Sequence, residues 1–284
     1  MFRLIRNRTL GHFKYSYKGF DFEGFSEGGI KTSIILSRLD LMFDIGALDA
    51  DKCHVKNVLL SHGHLDHSAL LPYYISQRSL RKLPAPNIYL HEQLYEPMKK
   101  ILDVYSDIEG FDYSYNLSSV RPGDKMELNK NMFFKSMPTF HRVPSQGYTV
   151  FETSVKLKTE YLALGKEEII RKKEANEDIF ITVDTPIISF SGDTKIEYVL
   201  ENSEVRKSRI LFLECTYVDE QRDVQRAREW GHIHLDEIVA HADEFENEQI
   251  ILIHFSRRYS KQFVAQTLKK KLPQHLYDRV TFVY

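Results

Sequence analysis

Six consecutive residues, His62-Gly63-His64-Leu65-Asp66-His67, carry three imidazoles and a carboxylate. Neutral imidazole nitrogens and carboxylate oxygens are the ligands a zinc-type cation takes. The apolar run over 57–61 that precedes them reads as a buried strand, and the spacing of Leu70, Leu71, Tyr74 and Ile75 after them reads as a helix. His62 and His64, two apart in extended chain, project to one side and can share a cation. Asp66 and His67 stand past the turn at the helix start, where the helix dipole favours an ionised carboxylate, and can address a second cation. A single histidine in such a place is ordinarily a hydrogen-bonded surface or core imidazole. Four ligands within six residues, with a strand before and a helix after, argue for a metal site instead.

Three more ligand-type residues come after predicted strands: His141 after 132–136, Asp193 after 187–190 and His254 after 250–253. Taken singly, Asp193 in Ser-Gly-Asp-Thr reads as a turn aspartate and His254 as a satisfied core histidine. Asp44, after a strand over 39–43, reads equally as a turn residue or as a group that orients a metal ligand.

The elements that must position these residues alternate loosely. Strands are predicted over 32–36, 39–43, 55–60, 87–90, 132–136, 148–151, 179–183, 187–190, 210–213 and 250–253. Helices are predicted over 70–75, 94–105, 196–202, 235–245 and 262–272, with a short one after Gly165. Two central mixed sheets with helices outside, an αββα four-layer sandwich, fit this order; a doubly wound parallel sheet would give a similar string. The whole chain, 1–284, reads as one domain without fixed-period repeats, and the nearest thing to a linker is the charged, arm-like stretch 152–178.

Of 284 residues, 42% are hydrophobic and 28% charged, ordinary globular composition that argues against bulk disorder. With a net charge of −1 and a pI near 6.9, no whole-molecule field draws the protein to nucleic acid or to an anionic membrane. Any phosphate-binding surface must be local. Arg257, Arg258 and Lys261 form one candidate patch, and 166–173, with Arg171, Lys172 and Lys173 among glutamates, another; solvated faces are the plain alternative. Cys53 and Cys215 form no disulfide framework and suit a reducing compartment, so a cytoplasmic protein is expected. The basic N-terminus, with Arg3, Arg6, Arg8 and Lys14, has no apolar signal core and reads as a first strand region. No run of about 18 uncharged apolar residues is present, which excludes a helical membrane span.

The His62–His67 segment resembles the His-x-His-x-Asp-His signature of the metallo-β-lactamase superfamily, and later segments resemble one branch of it, the transfer-RNA 3′-processing endonucleases called ribonuclease Z. Those segments are Thr139-Phe140-His141-Arg142-Val143-Pro144-Ser145-Gln146-Gly147-Tyr148, Ser189-Phe190-Ser191-Gly192-Asp193-Thr194 and Ile253-His254-Phe255-Ser256-Arg257-Arg258-Tyr259. The resemblance covers nearly the whole chain. It implies His62, His64 and His141 on one ion, Asp66, His67 and His254 on the other, and Asp193 shared between them. Two Zn2+ per chain are implied, with manganese or iron as alternatives.

A metal pair about 3.5–4 Å apart ionises a shared water and stabilises phosphoryl charge during in-line attack. Asp66 thus belongs to the catalytic set. By the same resemblance His232, in Trp230-Gly231-His232-Ile233-His234, is the general acid for the leaving oxygen, and Glu214, in Leu213-Glu214-Cys215-Thr216, orients it. His234 competes for that role, although a plain surface histidine is the simpler reading. The family's long Gly- and Pro-rich arm, which grips transfer RNA, is replaced here by the short charged stretch, leaving Arg142, Arg257 and Arg258 as candidate phosphate contacts. The expected function is 3′ processing of precursor transfer RNA by a homodimer. The alternatives are a hydrolase of the same fold acting on a small phosphodiester or other ester, and a non-catalytic metal-stabilised binding subunit.

Overall fold

In the computed structural model, which describes residues 12–284, fourteen strands form two seven-stranded sheets. Lys14 lies in the first strand, whereas Arg3, Arg6 and Arg8 fall outside the described residues. The first sheet runs in chain order through β1 (His12–Tyr17), β2 (Phe20–Glu27), β3 (Lys31–Leu36), β4 (Leu41–Phe43), β5 (Asn57–Leu59), β6 (Asn87–His91) and β7 (Asn116–Val120). Its first four strands pair antiparallel and β4 to β7 pair parallel. The second sheet comprises β8 (Lys125–Asn129), β9 (Met132–Pro138), β10 (Gln146–Leu157), β11 (Phe180–Phe190), β12 (Ile210–Glu214), β13 (Gln249–Ile253) and β14 (Val280–Phe282). There β8 to β11 pair antiparallel and β11 to β14 parallel, so each sheet has one antiparallel and one parallel half.

The helices are α1 (Leu65–Ser68), α2 (Leu71–Leu80), α3 (Glu92–Glu109), α4 (Lys166–Glu174), α5 (Glu197–Leu200), α6 (Ser203–Lys207), α7 (Val224–Trp230), α8 (Leu235–Ala240), α9 (Lys261–Lys271) and α10 (Gln274–Tyr277). They cover the outer faces. Strands buried on both faces read as unbroken apolar runs, because alternate side chains enter different layers. Ile34, Leu36, Phe43 and Leu59 point between the sheets, where they join Phe190, Phe212 and Ile251. Their neighbours Ile35, Met42, Val58 and Leu60 point outward onto Leu71 and Ile75 of α2 and Met98 and Leu102 of α3. Across the molecule, Leu211, Leu213 and Leu252 face outward onto Ile238 of α8 and Val264 and Leu268 of α9. Three apolar layers between four structural layers are the αββα sandwich expected.

Two segments differ from expectation. The stretch 152–178 is no linker: β10 continues through it to Leu157, pairing with β11 from Glu152↔Thr185 to Leu157↔Phe180, and α4 lies beyond that pairing. The strands expected over 179–183 and 187–190 are one strand, because the register shift between Val150 and Phe151 accommodates Pro186, which cannot donate to a regular ladder. Strand β2 was not anticipated, since aspartate, glutamate and glycine interleave with its buried Phe20 and Phe22. Helix α7 buries only Ala227 and so has no apolar period to read.

Candidate metal centre

The parallel halves of both sheets aim their carboxyl ends at one place, as in other layered sheets whose sites lie beyond strand ends. Asp44 follows β4, His62 comes shortly after β5, Asp193 after β11, Glu214 closes β12, and His254 follows β13 directly. His141 enters from the loop between β9 and β10, and Asp66 and His67 from α1. Asp44 and His254 take left-handed backbone, with φ of 55° and 63°. Non-glycine residues rarely adopt that conformation without support from their surroundings. Gly192 is also left-handed at φ 57°, and a β-carbon there would come within 2.5 Å of Ser61 Cβ.

Two donor clusters result. His62, His64, His141 and Asp193 form one; Asp66, His67 and His254 form the other; and Asp193 and His254 also come within ligand distance of His232. In the first, His62 Nε2 lies 3.0 Å from His64 Nδ1 and 3.6 Å from Asp193 Oδ2, and His141 Nε2 lies 3.4 Å from His64 Nδ1. In the second, His254 Nε2 lies 3.3 Å from His67 Nε2 and 3.3 Å from Asp66 Oδ2. Asp193 Oδ1 faces this second cluster, 3.4 Å from His67 Nε2 and 3.3 Å from His254 Nε2. Tetrahedral ligands about 2.0–2.1 Å from a cation stand roughly 3.3–3.4 Å from one another, so these separations match the edges of such a polyhedron. Asp193 Oδ1 is buried and accepts no hydrogen bond, an orphaned lone pair that a cation would satisfy. The donor set therefore fits divalent cations.

Behind the clusters, most of the far ring nitrogens are held. His67 Nδ1 donates to Asp44 Oδ2 at 2.6 Å, and the same carboxylate accepts from the Ser61 backbone N–H at 2.7 Å and hydroxyl at 2.8 Å. Ser61 Oγ in turn lies 3.0 Å from His62 Nδ1. His141 Nδ1 donates to the Gly231 carbonyl at 2.8 Å, and Thr216 Oγ1 lies 2.9 Å from His254 Nδ1. The Gly29 N–H donates to Asp66 Oδ2 at 3.0 Å. Such outer contacts fix ring orientation and tautomer.

Beside both clusters, His232 Nδ1 donates to Glu214 Oε1 at 2.9 Å. Glu214 is fully buried and also accepts from the Thr194 N–H at 3.0 Å and the Thr216 hydroxyl at 2.8 Å. The electrostatics separate the residues by task. Burial holds the imidazoles of His62, His64 and His141 below their usual range, leaving neutral rings with free lone pairs. Burial opposes ionisation of Asp66, but hydrogen bonds from His254 and His67 outweigh it and hold the carboxyl well below the usual range. Asp193 is held down in the same way, against burial, by the charges of His254 and His67. For His232, burial disfavours the charged ring, yet the charge and hydrogen bond of Glu214 prevail and raise it to about 9.

His234 is not the surface histidine expected. It is buried, accepts from the Asp236 N–H, and closes a capping box with Glu237 at the start of α8, which leaves it no path to the clusters. Asp44 is no ordinary turn residue either, since its carboxylate sits behind His67. The three arginines are spread around the mouth. Arg142 lies over the Trp230 ring, Arg258 reaches Gln221, and Arg257 turns toward Glu27 at 3.6 Å. Sequence reading missed Ser61, Thr194 and the Gly29 and Gly231 backbone groups, because nothing local marks a hydroxyl or a peptide group as a ligand's partner. It quoted Thr216 beside Glu214 without assigning it a contact.

A profile of the β-lactamase superfamily domain matches residues 43–255. The chain is 36% identical to a tRNase Z, TRZ1, of Arabidopsis thaliana over 265 residues, 93% of this chain and 94% of that one. Its fold is similar to that of the human tRNase Z short form, with a TM-score of 0.59 at 16% identity, covering 91% of this chain and 94% of that one. It is also similar to that of YhfI, a metallo-β-lactamase fold protein of Bacillus subtilis, with a TM-score of 0.60 at 14% identity, covering 91% and 93%.

Proposed function

The chain belongs to the β-lactamase superfamily and, within it, to the tRNase Z endoribonucleases, and from this premise we propose that it removes 3′ trailers from precursor transfer RNA. One observation carries the chemistry: Asp193 divides its two oxygens between two histidine-bearing clusters, with a separate imidazole–carboxylate pair alongside. In this reading His62, His64 and His141 would hold one zinc ion and Asp66, His67 and His254 a second, with Asp193 as a ligand available to either. Divalent cations bound there supply Lewis acidity, activating water and stabilising charge on the phosphoryl oxygens.

The protein's own groups do the rest. Asp44, through His67 directly and through Ser61 to His62, keeps both rings facing the site. His232 carries its hydrogen bond to Glu214 on Nδ1, so Nε2 is free to hand a proton to the leaving 3′ oxygen as its bond to phosphorus breaks. A ring raised to about 9 is protonated at neutral pH, the state a general acid requires. Arg142 and Arg258 offer bidentate donors to phosphates along the cleft.

Assembly is proposed to be a homodimer. In support, Ile101, Val104, Tyr105 and Ile108 form an exposed apolar stripe along α3, and such stripes on soluble proteins mark contact surfaces. Cys53 and Cys215 are buried and unpaired, which supports a reducing compartment, the cytoplasm. Among the described residues no helix is long and apolar enough to cross a membrane.

The deciding assay incubates purified protein with a precursor transfer RNA carrying a 3′ trailer. Cleavage is expected just beyond the discriminator nucleotide, abolished by chelation, restored by zinc, and lost in His64→Ala while the circular dichroism spectrum is kept. Undiminished cleavage by that variant would contradict the reading. Rapid hydrolysis of bis(p-nitrophenyl) phosphate beside an uncut precursor would point instead to a small-diester hydrolase.

A further inference from the structure

The chain's single tryptophan, Trp230, closes α7 immediately before Gly231 and His232. That position is tied directly to the site, because the Gly231 carbonyl accepts from His141 and His232 carries the hydrogen bond to Glu214. The residue is nevertheless 43% exposed, so part of it is open to a partner. Two guanidiniums lie against it: Arg142, next to His141, at 4.6 Å from the ring centroid, and Arg226 at 5.3 Å. Both arginines are exposed. Tyr217 stands edge-on to His232, with ring centroids 6.0 Å apart. An indole with two guanidiniums against it thus lies beside the reacting groups.

Interleaved aromatics and arginines are how proteins hold unpaired nucleotides, the ring stacking on a base of any sequence and the guanidinium taking its phosphate. Resting on the RNA-cleaving reading above, we propose that Trp230, flanked by Arg142 and Arg226, is the stacking platform for an unpaired nucleotide adjoining the scissile phosphate. Both side chains are exposed, and Arg226 also pairs with Glu229 at 2.9 Å. They can yield part of the indole to the base and keep their charge within reach of its phosphates. The platform selects single-stranded RNA over a bare diester, because a small phosphodiester offers it nothing to stack.

With one tryptophan in the chain, intrinsic fluorescence reports on this position alone. In metal-loaded protein carrying His232→Ala, which holds the precursor uncut, saturating RNA should quench the emission. Abasic nucleotides on either side of the scissile phosphate should remove the quench. In the otherwise unaltered enzyme, Trp230→Ala should lower the ratio of kcat/KM on the intact precursor to kcat/KM on the precursor with abasic nucleotides flanking the scissile phosphate by about tenfold, chiefly through KM, and Trp230→Phe should recover most of it. Bound RNA without a quench would overturn the platform. So would an equal loss on both substrates, which would mean that the indole only props the Gly231–His232 turn. A precursor bound but left intact by the unaltered enzyme would refute the cleavage reading instead, and the quench would still decide the platform.

Discussion

Glu214 divides its work between two oxygens, Oε1 toward His232 and the Thr194 N–H, Oε2 toward Thr216, whose hydroxyl also meets His254. One carboxylate therefore orients the proton donor and, through a hydroxyl, a ligand of the second cluster. The sign of its effect on pH follows. An imidazolium donor is lost as pH rises through its pKa, and Glu214 is what keeps that pKa high. Glu214→Gln is therefore expected to lower kcat on precursor RNA by about a hundredfold and to move the alkaline limb of the kcat profile to lower pH. A profile that drops in height without moving would show that Glu214 acts on structure alone.

Loops leaving parallel strands form the site, and their backbone is as specific as their side chains. Gly192 turns the chain out of β11 so that Asp193 lands between the clusters, and it does so against Ser61, the residue that links Asp44 to His62. Gly192→Ala places a β-carbon where Ser61 already stands, in a conformation alanine disfavours. The expected cost is about 1–3 kcal/mol in urea unfolding of the metal-loaded protein, together with loss of activity. The hairpin formed by the outer parts of β10 and β11 is the opposite case, since no residue between 152 and 185 joins any of the three apolar layers. Shortening it to a tight turn between Lys156 and Ile181 should leave the urea midpoint unchanged and raise KM for precursor RNA, because Lys166, Arg171, Lys172 and Lys173 of α4 would be removed with it. A fallen midpoint would mean that the hairpin is part of the fold's support.

For the molecule as a whole, a net charge of −1 supplies no general attraction for RNA, so any phosphate-binding surface must be a local cluster of basic residues. The α3 stripe bears on assembly. Light scattering should give twice the chain mass of 33.4 kDa, and Val104→Asp combined with Ile108→Asp should give the single-chain mass. A dimer that survives both substitutions would place the interface elsewhere.

The amino-acid order alone narrowed the architecture to a layered one, four-layer sandwich or doubly wound sheet, because strands buried on both faces must be written as continuous apolar runs, and it put imidazoles and carboxylates at strand ends, whose grouping as seven ligands came through resemblance to a family. It also assigned His232 and Glu214, through resemblance to a family. It could not settle His234, whose role is a helix cap that depends on Glu237 and on burial in the packed molecule. Nor could it reveal that Ser61 and Thr216 relay the outer contacts, or that Arg142 and Arg226 both lie against Trp230. The contacts of Thr216 with His254 and of Arg142 with Trp230 join residues tens of positions apart. Hydrogen bonds and charges act over a few ångströms of space, and local patterning carries no record of which strand ends the two sheets bring within that range.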